Sequence, residues 1–213
     1  LDAEDLRRAM AVGSVLASFN VEDFGTERVR RLTAVEIDDV LVEVLTETTA
    51  GRDVTVLHAD AMDLDWDSLL GRRRWTLVAN LPYNISVPLI CDLLDDVPCI
   101  DRMLVMVQKE VAERLVAAPG DAAYGLPSVK VAYHSRARIV GRVPPSAFFP
   151  RPRVDSALVE LQRLEARAVS VDPGLLFDLV RAGFGQRRKM LRRSLAALVG
   201  PDAFEIAGVA PTA

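Results

Sequence analysis

Apolar residues fall in short, nearly unbroken runs along the first half of the chain, at 32–37 (LTAVEI), 54–58 (VTVLH), 75–79 (WTLVA) and 103–107 (MLVMV). Runs of five or six residues, rich in β-branched side chains and without polar alternation, predict strands buried on both faces. Between them, apolar positions recur every three or four residues over 39–48, 87–95 and 109–117, and also over 4–17 near the start, which predicts helices. Alternation of buried strands with helices predicts a parallel sheet covered on both sides. The pattern changes after Pro119-Gly120. Residues 128–134, 137–143 and 156–164 alternate in polarity and predict antiparallel strands that close the sheet. From Pro173 onward the spacing is helical, which predicts a second, small domain. No internal repeat or low-complexity tract is present.

Composition narrows the class. With 213 residues and half of them apolar, the chain can bury a substantial core. No apolar run reaches the ~20 residues of a membrane-spanning helix, and the first residues carry no basic stretch followed by an apolar one of the secretory kind. Cys91 and Cys99 sit eight apart with no nearby histidine. That is poor spacing for zinc, so no metal site is expected, and the two are read as ordinary thiols. The net charge of −4 conceals an asymmetry. Residues 1–135 hold 13 basic against 23 acidic residues, whereas 136–193 hold 13 against 5. A basic part on an acidic protein suggests a polyanionic partner, with a solvated charged surface as the plain alternative.

The chemistry concentrates where the third strand ends, in Asn80-Leu81-Pro82-Tyr83. The Asn80 side-chain oxygen and the Leu81 carbonyl can both accept hydrogen bonds from one exocyclic amine. Pro82 has no N–H to compete, and its fixed φ turns the chain outward. Tyr83 offers a π-face for a base, worth about 1–3 kcal/mol in single-strand sites. The plain alternative is a β-turn whose tyrosine fills core. In open α/β sheets ligands bind at the carboxyl ends of the strands. The acids there are Glu36, placed to take ribose hydroxyls, and Asp60, placed to accept from an adenine amine. Each alone fits a loop acid or a helix cap. As a series at successive strand ends they favour an adenosine-containing cofactor.

Together these residues resemble the ribosomal RNA adenine N6,N6-dimethyltransferases of the KsgA type. The resemblance runs from about Thr33 to the end of the chain and rests on several ordered stretches. These are 33–38 (TAVEID), Asp60-Ala61, Asn80-Leu81-Pro82-Tyr83, 106–115 (MVQKEVAERL) with 124–129 (YGLPSV), 148–156 (FFPRPRVDS) and 184–195 (FGQRRKMLRRSL). It implies a Rossmann-like, S-adenosylmethionine-dependent methyltransferase sheet over 1–166 and a small helical RNA-binding domain over 167–213. Glu36, Ile37, Asp60, Ala61 and Asn80 would hold S-adenosyl-L-methionine. Asn80, Leu81, Pro82 and Tyr83 would hold the target base, with Phe148 rather than Phe149 as the second stacking ring. Arg181, Arg187, Arg188, Lys189, Arg192 and Arg193 would form a basic helix for the RNA backbone. The implied reaction is double methylation of two adjacent adenines in a 3′-terminal hairpin of small-subunit RNA within a pre-ribosomal particle, by a cytoplasmic monomer. Relatives that methylate large-subunit RNA, and a non-catalytic RNA-binding assembly factor, are the alternatives.

One departure stands out. Methyltransferases of this type open with a strand and a glycine-rich loop that lets backbone approach the methionine half of the cofactor. Before Thr33 the chain has only Gly13 and Gly25, and residues 19–31 lead directly into the expected second strand. The expectation is that some thirty residues of the usual pattern, by family resemblance, are absent there. The last residues, 208–213 (GVAPTA), likewise resemble the middle of a family C-terminal domain.

Overall fold

The computed structural model describes residues 32–186 and 189–210. The expected helix at 4–17, the segment around Gly13 and Gly25, and Arg187 and Arg188 lie outside the described residues. The four expected parallel strands form: β1 (Leu32–Glu36), β2 (Val54–His58), β3 (Trp75–Asn80) and β4 (Ile100–Gln108). Helices α1 (Asp39–Thr49), α3 (Ser86–Asp96) and α4 (Lys109–Val116) fall where the spacing placed them. A further short helix, α2 (Trp66–Leu70), lies between β2 and β3. The start of α1 is set by Asp38, whose carboxylate accepts from the Val40 and Leu41 N–H groups at 3.0 Å each, a capping arrangement worth about 1 kcal/mol.

Two further strands, β5 (Ser135–Val143) and β6 (Ser156–Arg163), complete a four-stranded sheet of order β3-β4-β6-β5. β3 runs parallel to β4, whereas β6 is antiparallel to both β4 and β5. β1 and β2 pair with each other in parallel as a separate two-stranded sheet. Among the described residues β1 and β3 are therefore each paired along one edge only. The two sheets are tied through 61–70: Ala61, Trp66, Leu69 and Leu70 pack into the same core as Leu89 and Leu93 of α3. That core covers the face of the larger sheet carrying Val105, Val107 and Val159, all at 0% exposure. Burying each such side chain contributes about 1.5–3 kcal/mol.

One expectation is overturned. Residues 128–134 are not a strand but belong to α5 (Leu126–His134). The alternation of Val129, Val131 and Tyr133 resembled a strand, but the local start signals decide otherwise. Pro127 sits in the first turn, where its missing N–H costs nothing. Ser128 Oγ accepts from the Gly125 N–H at 3.1 Å and donates to the Arg114 carbonyl at 2.6 Å. This pins the new helix to the end of α4, and α5 then covers β5.

Two carboxylates of the described residues are held by basic partners from neighbouring elements. Glu160, in the middle of β6, is bound by Arg102 from β4 and by Arg138 from β5 at 2.5 Å. The hydrogen bond from Arg102 and then the one from Arg138 outweigh burial and hold its carboxyl below the usual range. Asp95 on α3 accepts from Lys130 and lies 2.8 Å from His134 Nε2, both on α5. Burial pushes the Asp95 carboxyl up, but these two hydrogen bonds outweigh it and leave it lowered. A carboxyl lowered on folding contributes stability that is complete above its unfolded value and is lost as pH falls through the folded value. Asp95→Asn should therefore lower the melting temperature at neutral pH by the equivalent of about 1–2 kcal/mol. The gap to the parent should close as pH falls through the lowered range of the Asp95 carboxyl, as thermal denaturation at several pH values would register.

The cysteines differ in setting. Cys91 on α3 is buried and its thiol is pushed up to about 11, by burial first, whereas Cys99 is half-buried; both are free. After β6 the chain continues into α6 (Pro173–Gly185), α7 (Leu191–Ser194) and α8 (Asp202–Ile206). Phe177 of α6 sits edge-on to Tyr133 at 5.2 Å and stacked with His134 at 6.2 Å. Lys130 lies over the same ring, 5.5 Å from its centre. An aromatic seam thus joins α6 to α5.

Candidate active site

Parallel pairing sets Glu36 beside His58 at the carboxyl ends of β1 and β2, and Asn80 beside Met106 near the end of β4. Glu36 Oε1 accepts from the Ile37 and Asp38 N–H groups at 2.9 and 3.1 Å. The carboxylate is thereby fixed in direction, with its second oxygen unengaged among the described residues. The Ala59 N–H donates to the Glu36 carbonyl at 2.9 Å, which brings the β2 loop against it. On that loop Asp60 Oδ1 accepts from the Met62 N–H at 2.8 Å, again leaving one oxygen. The Ala61 carbonyl is held by the Trp66 indole N–H at 3.1 Å. Beside these acids stand bare apolar side chains, with Ile37 59% and Met62 37% exposed. Two oriented carboxylates flanked by uncovered apolar surface suit a ribose and a purine. Glu36, Ile37, Asp60 and Ala61 thus fit the adenosine half of the expected cofactor. Among the described residues no glycine-rich turn faces Asn80 to take the other half.

At the end of β3 the backbone is anchored from two sides. The Leu81 N–H donates to the Met106 carbonyl at 3.1 Å, and its side chain is buried at 6% exposure. The Pro82 carbonyl accepts from the Ile85 and Ser86 N–H groups at 3.2 and 3.1 Å, which starts α3. Ser86, at 0% exposure, donates its hydroxyl to the Tyr83 carbonyl at 3.2 Å. Sequence reading missed Ser86, and its position at the head of a helix was the available signal. Among the described residues no hydrogen bond engages the Asn80 side chain or the Leu81 carbonyl. Two acceptors therefore point off a rigid turn, and the Tyr83 ring beside them is 43% exposed.

The loop 144–155 leads from β5 to β6 through a 3-10 turn, Pro145–Ala147, and its Asp155 carbonyl accepts from the Lys109 N–H at the end of β4. Phe148 is half-buried and Phe149 is 67% exposed. Phe148 is thus the ring fixed against the protein. Among the described residues neither phenylalanine is in ring contact with Tyr83, which is 43% exposed.

The basic segment departs from expectation. It is not one helix: α6 ends at Gly185, Gln186 has left helical geometry at φ −130°, ψ 47°, and α7 starts only at Leu191. Glycines at 183 and 185 are the reason, since each weakens a helix by about 1 kcal/mol relative to alanine. Arg181 lies on α6 and pairs with Asp178 at 2.7 Å, so part of its charge is neutralised. Arg192 and Arg193 lie on α7, and Lys189 precedes it; all three are exposed. Phe184 meets Tyr124 edge-on at 5.7 Å, which ties the start of the segment to the loop before α5.

This arrangement, with acids at two strand ends and an amine-accepting turn at the next, is that of an α/β methyltransferase. The fold agrees: a dimethyladenosine transferase from Plasmodium falciparum superposes with a TM-score of 0.69 at 23% identity, over 88% of this chain and 72% of that one. The 23S rRNA methyltransferase ErmE gives 0.67 at 21%, over 100% and 91%. The model of the ribosomal RNA adenine dimethylase family matches residues 21–212, and the chain belongs to that family, whose members are S-adenosylmethionine-dependent methyltransferases. The ribosomal RNA small subunit methyltransferase A of Acidothermus cellulolyticus is 46% identical over 81% of this chain and 60% of its own length. That of Kineococcus radiotolerans is 41% identical over 100% of this chain and 77% of its own. The latter alignment spans 232 positions against the 213 residues here, so that relative holds residues with no counterpart in this chain.

Proposed function

We propose that this protein transfers methyl groups from S-adenosylmethionine to N6 of two adjacent adenines in a 3′-terminal hairpin of small-subunit ribosomal RNA. The observation that carries this is the pair of unclaimed acceptors, Asn80 Oδ1 and the Leu81 carbonyl, held on an anchored turn beside the exposed ring of Tyr83. The printed names of the most similar relatives support the small-subunit reading. S-Adenosylmethionine would supply an electrophilic methyl group on a sulfonium. An adenine N6 lone pair is delocalised into its ring and is a weak nucleophile. Accepting both N6 hydrogens at Asn80 and Leu81 favours a pyramidal nitrogen and aims its lone pair. The base has to leave its stack to reach this turn, and Tyr83 and Phe148 replace the lost stacking. The N–C bond would form as the methyl–sulfur bond breaks with its electron pair left on sulfur, and the extra N6 proton would pass to water, so no residue of the chain need serve as a dedicated base. Positioning supplies most of the rate.

The domain boundary falls near 166, with 167–213 as the RNA-binding part; Arg181, Arg187, Arg188, Lys189, Arg192 and Arg193 meet phosphates there. The partner is a pre-ribosomal particle and the protein acts as a cytoplasmic monomer. No helix among the described residues is long and apolar enough to cross a membrane.

One observation favours a second reading, an RNA-binding assembly factor without transfer. Among the described residues β1 and β3 are each paired along one edge only, and none of those residues forms the first strand and glycine turn that the α/β strand order puts beside them. The deciding experiment is calorimetric titration with S-adenosylmethionine, followed by labelled methyl transfer to undermethylated small subunits. Binding with N6 methylation is the expected result. RNA binding without cofactor binding would overturn the catalytic reading in favour of the second.

A further inference from the structure

β4 outlasts β3 by two residues. Asn80 pairs with Met106, and the chain then turns away at Leu81 while β4 continues to Gln108. A cavity of about 360 Å³ opens at this overhang, lined by Gln108, Lys109, Glu110, Glu113, Arg153 and Asp155 together with Pro145 and Val154. Its far wall is the same loop that carries Phe148, and the Lys109 N–H fastens that wall to the helix by donating to the Asp155 carbonyl at 2.9 Å. Two strand residues correspond to roughly 7 Å, so the cavity adjoins the amine-accepting turn without being part of it. Its volume lies at the small end of ligand clefts, roughly 300–1,000 Å³, which suits one nucleotide.

The lining is unevenly neutralised. Glu110 is paired with Arg114 at 3.1 Å, and Glu113 faces Lys109 at 3.9 Å. Arg153 and Asp155 are exposed and have no ion-pair partner among the described residues. They stand two residues apart, one cation and one carboxylate, at the rim of a single cavity. A phosphate suits the arginine, and a base amine suits the carboxylate.

We propose that this cavity holds the nucleotide next to the one whose base is held at Asn80, with its phosphate on Arg153 and its exocyclic amine on the Asp155 carboxylate. This rests on the reading that the substrate is a strand of adjacent adenines. Holding one adenine in the cavity while its neighbour is at Asn80 makes the pair, rather than a single adenine, the recognised unit.

The test uses a short RNA hairpin with two adjacent adenines, each replaced in turn by purine ribonucleoside, which lacks the amine. Affinities are measured by fluorescence anisotropy for the parent protein, Asp155→Asn, Asn80→Ala and Arg153→Gln. In the parent each replacement should weaken binding about two- to threefold, the scale of one net hydrogen bond. One position should lose its sensitivity in Asn80→Ala, and the other in Asp155→Asn. Arg153→Gln should weaken every RNA alike and reduce the salt slope by about one phosphate contact. Sensitivity that ignores Asp155→Asn at both positions would overturn the proposal while leaving the Asn80 site standing. A parent protein indifferent to both amines would sink the Asn80 reading as well.

Discussion

Asn80→Ala should lower methyl transfer to N6 by about 10²–10³-fold, the scale of losing one preorganised polar contact to a reacting group, with RNA affinity changed by no more than about two- to threefold. The side chain is exposed at a strand end and bonds nothing else among the described residues, so its removal leaves no buried group unsatisfied. The Leu81–Met106 hydrogen bond and the Ser86 anchor should keep the turn in place. What is lost is one of two acceptors that orient the amine, and orientation is where the rate arises. Charge reversal at Arg187 and Arg188 should have the opposite profile, with weakened binding, a shallower dependence on salt, and transfer recovering at saturating RNA. Single-turnover transfer beside salt-dependent binding separates the two. Equal loss of both activities in either variant would contradict this division of labour.

Arg163→Met should be the most destabilising single change in the four-stranded sheet. The guanidinium at the end of β6 donates to four backbone carbonyls. Nε reaches Ile100 at 3.0 Å, Nη1 reaches Leu94 at 2.8 Å, and Nη2 reaches Leu93 and Val97 at 3.0 and 3.1 Å. Three of these lie in the last turn of α3 and at its cap: Leu93 and Val97 also accept from the Val97 and Ile100 N–H groups, whereas Leu94 is among the last carbonyls that a helix leaves without an intrahelical partner. Arg163 therefore terminates α3 and joins it to the start of β4 in one contact. Burial lowers the guanidinium's affinity for its proton, but an arginine stays charged at any working pH. Methionine fills similar space and donates to none of the carbonyls, so Leu93 and Val97 keep only their backbone donors. The expected cost is about 3 kcal/mol, which for a chain of this size is about 6–12 °C in melting temperature. Arg163→Lys should recover only part of it, because one ammonium cannot span four acceptors held in a fork. A shift below about 2 °C for the methionine variant would mean that these carbonyls find water without penalty.

The strands and the functional turn were legible because each is a local pattern. An apolar run ending in Asn-Leu-Pro-Tyr is decided by six or seven neighbouring residues, and β3 ends where that pattern ends. Residues 128–134 were misjudged for the converse reason. Val129, Val131 and Tyr133 carry a strand-like alternation, but the Ser128 hydroxyl bonds the carbonyl of Arg114, fourteen residues away, and that contact has no trace in a local pattern. The basic stretch was misread as one helix because charge was weighed above the two glycines that break it. Arg153 and Asp155 were visible as part of a motif, but nothing in their spacing announced that they would border a cavity with Lys109.

The amino-acid order alone therefore indicates the four parallel strands and the last two of the sheet, the residues whose side-chain type suits an amine or a ribose, and which family the chain resembles. These follow from periodicity and from side-chain type, which act over a few residues. Tertiary structure alone decides that β1 and β2 stand apart from the larger sheet, and that Arg163 ends a helix some seventy residues earlier in the chain. It also decides that a cavity opens at Gln108, two strand residues beyond the Asn80–Met106 pair. Each of these depends on which distant segments meet, and such meetings are selected by the burial of whole faces rather than by any short stretch of sequence.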